Sequence, residues 1–177
     1  ILTADELTAL QTALDEIGAM QSAGAFGELP ADEDVHTLVE RLLTEKAGPA
    51  GAKIHAGRSR NDQVAAEVRM FAADRLAELG SDVRALLLTL RRLADRHVAT
   101  LLAGTTHLQP AQPITLGFFL LSLAFAVQRD LERLADAHRR ANRCPLGAGA
   151  LAGSGFAIDR EALAAALGFD GICENAM

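Results

Sequence analysis

A stripe of apolar residues runs along the middle of the chain in alternating steps of four and three residues. It begins at Val64 and continues to Leu93. This spacing puts the apolar side chains on one face of an α-helix that packs in a bundle. Gly80 interrupts the pattern, so two shorter helices remain an alternative. Because the stripe keeps its phase across Gly80, we predict one long helix that ends near Leu102.

Four further helices are predicted from apolar periodicity and capping residues. They cover about residues 3–22, 32–46, 114–140 and 158–168. Thr3 and Glu6 form a capping box at the start of the first helix. The apolar face of that helix is formed by Leu7, Leu10, Leu14 and Ile17. Loops are expected at residues 22–30 and 104–113, and no segment has the alternating pattern of a strand. The predicted fold class is therefore all-α, built from long helices.

The segment at residues 114–127 is the most apolar part of the chain. It is shorter than the roughly 20 residues that span a bilayer, and charged residues follow it directly. We therefore expect a helix buried on all sides within a bundle, and no membrane contact. The net charge of −6 argues against a nucleic-acid partner, which would require a concentrated basic surface.

The cysteine and histidine content indicates neither a disulfide framework nor a metal site. Cys144 and Cys173 are the two cysteines of the chain, and they have no metal-ligand spacing. A reducing compartment, the cytoplasm, is therefore expected. His97 continues the apolar stripe and is interpreted as a core histidine with its polar atoms satisfied.

Residues 55–64 read His-Ala-Gly-Arg-Ser-Arg-Asn-Asp-Gln-Val and mark the start of the long helix. Ser59, Asn61 and Asp62 are side chains that prefer helix N-caps. Free N–H groups and the positive end of the helix dipole would then face the same place as Arg58 and Arg60. An arginine presents a planar fork that matches a carboxylate or a phosphate. Taken alone, the segment predicts either an anion site or a set of caps and structural ion pairs.

His107 lies in the expected loop between Pro110 and the long helix. Two threonines precede it and glutamine amides follow it. A loop histidine held by prolines among short polar groups is a candidate acid–base or substrate-orienting group. A structural role is the alternative.

Three ordered segments resemble argininosuccinate lyase, a family of the fumarase and aspartase superfamily. Residues 55–64 resemble its first signature. Residues 104–113, which read Gly-Thr-Thr-His-Leu-Gln-Pro-Ala-Gln-Pro, resemble its second signature. Residues 145–153, which read Pro-Leu-Gly-Ala-Gly-Ala-Leu-Ala-Gly, resemble the Gly-rich segment that follows. The Gly-rich segment also fits a dinucleotide-binding pattern, but that motif requires a preceding strand, and none is predicted here.

The resemblance implies a lyase that cleaves argininosuccinate to arginine and fumarate by β-elimination of the C–N bond, without a cofactor. His107 matches the family histidine near the reacting centre. The residues that match substrate-binding positions are Arg58, Ser59, Arg60, Asn61, Thr106 and Gln109. Family members form homotetramers whose active sites combine signatures from different subunits. The resemblance further implies an N-terminal helical segment at residues 1–57 and the first part of the central long-helix bundle at 58–177.

The chain departs from the family pattern in two ways. In the superfamily the catalytic base is a serine in a Gly-Ser-Ser loop, and no such loop occurs in residues 1–177. We therefore expect an internal part of the enzyme that releases no fumarate by itself. Thr105 stands where the family usually has Tyr, and Phe118 and Phe119 replace residues that are more often polar. The amine leaving group therefore stays open.

Two alternative functions remain. A related lyase of the superfamily that acts on another N-substituted aspartate would carry similar motifs. A non-catalytic helical scaffold, like the lens crystallins related to this family, would need only the fold. Retention of Arg60, Asn61 and His107 argues against the scaffold, because helix packing does not require these side chains.

Overall fold

The computed structural model describes residues 1–26 and 32–177. The chain divides into two compact units, Ile1–Arg58 and Ser59–Met177. The elements in chain order are α1 Ala4–Ser22, α2 Val35–Ala47, α3 Pro49–Ala52, α4 Arg60–Arg96, β1 Leu101–Thr106, β2 Gln109–Thr115, α5 Leu116–Ala141 and α6 Arg160–Ala166. The predicted architecture of long helices is confirmed, and a small sheet is added to it. The loop predicted at residues 22–30 lies partly outside the described residues.

The first unit begins with the predicted capping box. The Thr3 hydroxyl accepts a hydrogen bond from the Glu6 amide at 3.2 Å, and the Glu6 carboxylate accepts one from the Thr3 amide at 2.9 Å. These bonds satisfy amides that a helix N-terminus otherwise leaves without partners. The predicted extent of α2 is close to the observed helix, which Asp34 caps by accepting a hydrogen bond from the Thr37 amide at 2.7 Å.

The core of the first unit is formed by Leu10, Ala13, Ile17, Leu43 and Ala50. The predicted apolar face of α1 is therefore only partly right. Leu7 and Leu14 are 48% and 42% exposed. The buried residues of α1 are instead Leu10, Ala13 and Ile17, which follow one another at steps of three and four residues. The small side chain of Ala13 allows α2 and α3 to approach closely.

The prediction of one long helix across Gly80 is confirmed, because α4 runs unbroken from Arg60 to Arg96. The predicted end near Leu102 is wrong by about two turns. His97 is the C-cap rather than a core residue, and its Nδ1 lies 3.1 Å from the Thr100 hydroxyl. The His97 carbonyl accepts a hydrogen bond from the Gly117 amide at 3.0 Å. The chain thus turns out of the helix where α5 packs against its end.

The predicted loop at residues 104–113 is wrong, because this segment belongs to an antiparallel hairpin of β1 and β2. His107 and Leu108 form its two-residue turn with φ angles of +49° and +62°. A two-residue turn with positive φ at both positions matches the right-handed twist of the strands. Such turns usually contain Asn-Gly, because these residue types adopt positive φ most easily. Pro110 and Pro113 are tolerated because a two-stranded sheet has only edge strands. The strand signal was therefore hidden by prolines and by an unusual turn sequence.

The predicted fourth helix is confirmed as α5, which runs antiparallel to α4. Its first turn contacts the end of α4, and near its last turn the Arg69 guanidinium donates to the Arg140 carbonyl at 3.2 Å. The expectation that its apolar run is buried on all sides is not met within the single chain. Phe118 and Phe125 are 65% and 59% exposed. In the described part of the chain, no helix is long and apolar enough to cross a membrane.

Substitution of Leu108 tests the strain in the hairpin turn. A left-handed backbone costs a non-glycine residue about 1–2 kcal/mol, and glycine costs about 0.5–1 kcal/mol in lost chain entropy. We therefore expect Leu108→Gly to raise the free energy of unfolding by roughly 0.5–1 kcal/mol, measured by urea denaturation. Leu101→Gly is the control, because Leu101 is also exposed but lies in β1, and it should destabilise the protein. Equal destabilisation by both variants would contradict the assignment of strain.

Candidate functional site

The N-terminus of α4 is closed by its own first residues. Ser59 is the N-cap, and its hydroxyl accepts hydrogen bonds from the amides of Asn61 and Asp62. The Asp62 carboxylate in turn accepts a hydrogen bond from the Ser59 amide at 2.9 Å. The sequence predicted that free N–H groups at this point would face an anion. Two of those N–H groups are instead satisfied internally, so an external ligand here would rely on side chains.

Asp62 is a buried carboxylate, with 4% of its surface exposed. Besides the Ser59 amide, it accepts hydrogen bonds from the amides of Gly147 at 3.1 Å and Gly149 at 2.8 Å. Sequence reasoning treated Asp62 only as a capping residue. The contact joins residues 85 and 87 positions apart, so no local pattern could reveal it.

The Gly-rich segment is shaped around this carboxylate. Gly147 and Gly149 have φ angles of +90° and +61°, which glycine adopts without strain. Beneath Gly147, the Arg160 guanidinium donates to the Leu146 carbonyl at 3.0 Å and to the Cys173 carbonyl at 2.8 Å. The anion held by these glycine amides is therefore a side chain of the protein, and the dinucleotide interpretation is not needed to explain the motif.

A cavity of about 550 Å³ lies on the outer side of the Gly-rich segment. Its polar lining includes Ser154, Arg160, Glu174 and Asn175. The Arg160 guanidinium is held in place by hydrogen bonds from its Nε and Nη2 to two carbonyls.

The arginines and the asparagine of the first signature are fixed by nearby groups. The Asn61 side-chain amide donates to the Ala150 carbonyl at 3.5 Å, beside the Gly-rich segment. The Arg60 guanidinium donates to the Gln63 side chain at 3.1 Å. The Arg58 guanidinium donates to the Ile54 carbonyl within the first unit. Arg60 and Asn61 thus share the first turn of α4 with the Ser59 hydroxyl.

The predicted residues of the second signature lie at the tip of the hairpin. Thr106 ends β1, His107 forms the turn, and Gln109 begins β2. All three are exposed. The hairpin therefore presents a hydroxyl, an imidazole and an amide together on a protruding turn.

The two groups of predicted residues are far apart within one chain. They lie beyond opposite ends of α4, which has 37 residues. At 1.5 Å per residue this helix is about 55 Å long. One copy of the chain therefore does not bring His107 together with Ser59 or Asn61.

Other reactive side chains offer no alternative centre. Across residues 1–26 and 32–177, no group of His, Cys, Asp and Glu side chains is arranged to hold a metal ion. Cys144 is buried, and desolvation by that burial raises the pKa of its thiol. A thiol that is harder to ionise is a poorer nucleophile, as expected for a structural cysteine.

Residues 1–177 match the family described as lyase. The chain belongs to this family. The chain is 48% identical over all 177 residues to the argininosuccinate lyase of Thermoanaerobacter sp. (strain X514), of which it covers 40%. It is 49% identical over the same residues to the argininosuccinate lyase of Desulforudis audaxviator, of which it covers 39%. The chain thus spans about 40% of the length of these curated relatives.

Solved structures of similar proteins agree in fold. A fumarate-bound variant of EDDS lyase matches 99% of this chain with a TM-score of 0.86 at 34% identity, and 34% of that chain is covered. The 3-carboxy-cis,cis-muconate lactonizing enzyme of Pseudomonas putida matches with a TM-score of 0.77 at 24% identity, covering 99% of this chain and 40% of the other. The resemblance to argininosuccinate lyase and its superfamily is confirmed.

Substitution of Gly147 tests how closely the Gly-rich segment packs. A Cβ at this position would lie 2.7 Å from Arg160 Cγ, and φ is +90°. We expect Gly147→Ala to lower the free energy of unfolding by more than the roughly 1–2 kcal/mol of backbone strain alone. Gly153→Ala has similar strain at φ +96° but open space, and Gly155→Ala has neither, so they are graded controls. Equal stability of the Gly147 and Gly153 variants in urea denaturation would refute the packing argument.

Proposed function

We propose that the complete gene product is a lyase that cleaves argininosuccinate to arginine and fumarate. The observation that carries this proposal is the 48% identity to an argininosuccinate lyase over all 177 residues. The N-cap Ser59 and the first two residues of α4, Arg60 and Asn61, offer hydroxyl, guanidinium and amide groups that suit a carboxylate. The division into an N-terminal segment at 1–57 and a bundle at 58–177, and a cytoplasmic location, belong to the same proposal. The free thiols of Cys144 and Cys173 support that location.

The proposed chemistry removes a weakly acidic proton next to a carboxylate and then breaks the C–N bond to the guanidinium. The developing dianion must be held more tightly than the ground state. Arg58, Arg60, Ser59, Asn61, Thr106 and Gln109 are the proposed substrate-binding residues. The departing guanidinium needs a proton from a general acid, and His107 is proposed as that acid or as the group that orients the substrate.

A lyase for another N-substituted aspartate is the second candidate. The similarity to EDDS lyase, with a TM-score of 0.86 and 34% identity, supports it. The higher identity to argininosuccinate lyases favours the first candidate. Assay of fumarate release from argininosuccinate and from other N-substituted aspartates distinguishes the two, and the substrate with the larger kcat/KM identifies the function.

We further propose that the active protein is a homotetramer whose sites combine residues of different copies. The length of α4 supports this, because it separates Asn61 from His107 by far more than any substrate spans. Exposed apolar side chains on both long helices, including Phe71 and Phe118, support burial against other copies.

His107 and the α4 residues should have different kinetic effects in the complete enzyme. An acid or orienting group acts mainly in the transition state, whereas a carboxylate anchor acts in the ground state as well. We expect His107→Asn to lower kcat about a hundredfold or more with little change in KM. Asn61→Ala and Arg60→Lys should change kcat and KM together. Steady-state kinetics decide this, and a His107 variant with normal kcat and raised KM would contradict the assignment.

Mixed oligomers test whether one site uses residues from several copies. Chains carrying Asn61→Ala and chains carrying His107→Asn are each expected to have strongly reduced activity alone. Co-expressed, they should regain activity, because some sites receive Asn61 from one chain and His107 from the other. Thr106→Ala mixed with His107→Asn is the control and should not recover, because both residues lie on one hairpin tip. No recovery in confirmed mixed oligomers would mean that both residues act from the same copy.

A further inference from the structure

The Asp62 carboxylate connects the start of α4, which carries proposed substrate-binding residues, to the Gly-rich segment. Its Oδ1 accepts from the Ser59 amide at 2.9 Å, and its Oδ2 accepts from the amides of Gly147 at 3.1 Å and Gly149 at 2.8 Å. Hydrogen bonds to a charged acceptor are about twice as strong as neutral ones. Since the carboxylate is 4% exposed, water does not compete effectively for these bonds. The Gly-rich segment is therefore fastened to the first turn of α4.

This attachment extends to the neighbouring residue Asn61. The Gly149 amide binds Asp62, and the next carbonyl along the chain, that of Ala150, accepts from Asn61 Nδ2 at 3.5 Å. A carbonyl oxygen is only an acceptor, so the Asn61 side chain must turn its nitrogen toward Ala150. That choice directs Asn61 Oδ1 away from the segment. The position of one backbone carbonyl thus fixes which end of the asparagine amide faces outward.

We propose that Asp62 is a positioning residue, which holds the Gly-rich segment so that Ala150 orients the Asn61 amide toward substrate. This inference rests on the proposed function in its use of Asn61 as a substrate contact. Asp62 itself touches no substrate, since its oxygens bind backbone amides in the interior. Its effect on the reaction passes through Asn61.

A double-mutant cycle in the complete enzyme tests this route. Asp62→Asn keeps the side-chain size but leaves one oxygen for three amides, so the segment loosens without leaving a cavity. We expect kcat/KM to fall about tenfold to a hundredfold, as for a small misplacement of a binding group. When Asn61 is already alanine, Asp62→Asn should cost less than about twofold more, because coupled residues are not additive. The same loss in both backgrounds would overturn the proposal. Asp74→Asn is the control, because Asp74 is an exposed acid on the same helix, and kcat/KM should not change.

Hydrogen exchange tests the attachment without any assay of activity. The amides of Gly147 and Gly149 lie outside regular secondary structure, yet they should exchange slowly because Asp62 binds them. Asp62→Asn should speed exchange in residues 146–150 at least tenfold, while the middle of α4 stays as protected as before. Unchanged protection at Gly149 would overturn the positioning role. If exchange responds but argininosuccinate is not cleaved by the unmodified enzyme, the proposed substrate fails and the attachment stands.

Discussion

The length of α4 is the constraint on which the rest of the second unit depends. A helix of 37 residues extends about 55 Å, and the 26 residues of α5 carry the chain back over about 39 Å of that distance before the segment after α5 reaches the start of α4. The segment that follows α4 therefore lies beyond the C-terminal end of α4, and the segment that follows α5 lies near the N-terminal end of α4. The Gly-rich segment returns to Asp62 at the beginning of α4, whereas His107 stays beyond its far end. A binding site that includes both ends can form only between copies of the chain.

The exposed faces of α4 and α5 supply the driving force for such contact. Val68, Phe71, Phe118 and Phe125 are each at least 59% exposed in the single chain. Burial of one such side chain contributes about 1.5–3 kcal/mol. Several together exceed the lower part of the roughly 4–15 kcal/mol lost when two molecules associate. The same surface that would be a liability in a monomer therefore supports the proposed assembly of several copies.

Features set by neighbouring residues could be predicted from the sequence. The capping box at Thr3, the start of α4 at Ser59 and its continuity across Gly80 all follow from side-chain chemistry within a few positions. The hairpin was missed because His107 and Leu108 adopt positive φ angles that neither residue type signals.

In the candidate site, too, the features set by neighbouring residues could be predicted, whereas those set by residues distant in sequence could not. Motif resemblance selected Asn61 and Arg60, whereas side-chain preference indicated for Asp62 only a capping role. The role of Asp62 depends on amides more than 80 positions away, which are brought back by the antiparallel return of α5. No single stretch of sequence encodes that return distance. It depends on the combined lengths of two helices and the loop after them.

The departures of this chain from the argininosuccinate lyase pattern are gathered at one end of the α4–α5 pair. Thr105 lies in β1 two residues before the hairpin turn, and Phe118 and Phe119 lie in the first turn of α5. The beginning of α4, by contrast, keeps Ser59 and Asn61. Under the proposed function, groups that anchor the carboxylates of the fumarate half belong to the α4 end, and this half is common to both candidate reactions. The amine differs between them, so its selection falls to the hairpin end, where a smaller Thr105 and exposed aromatic rings change the size and polarity of the surface.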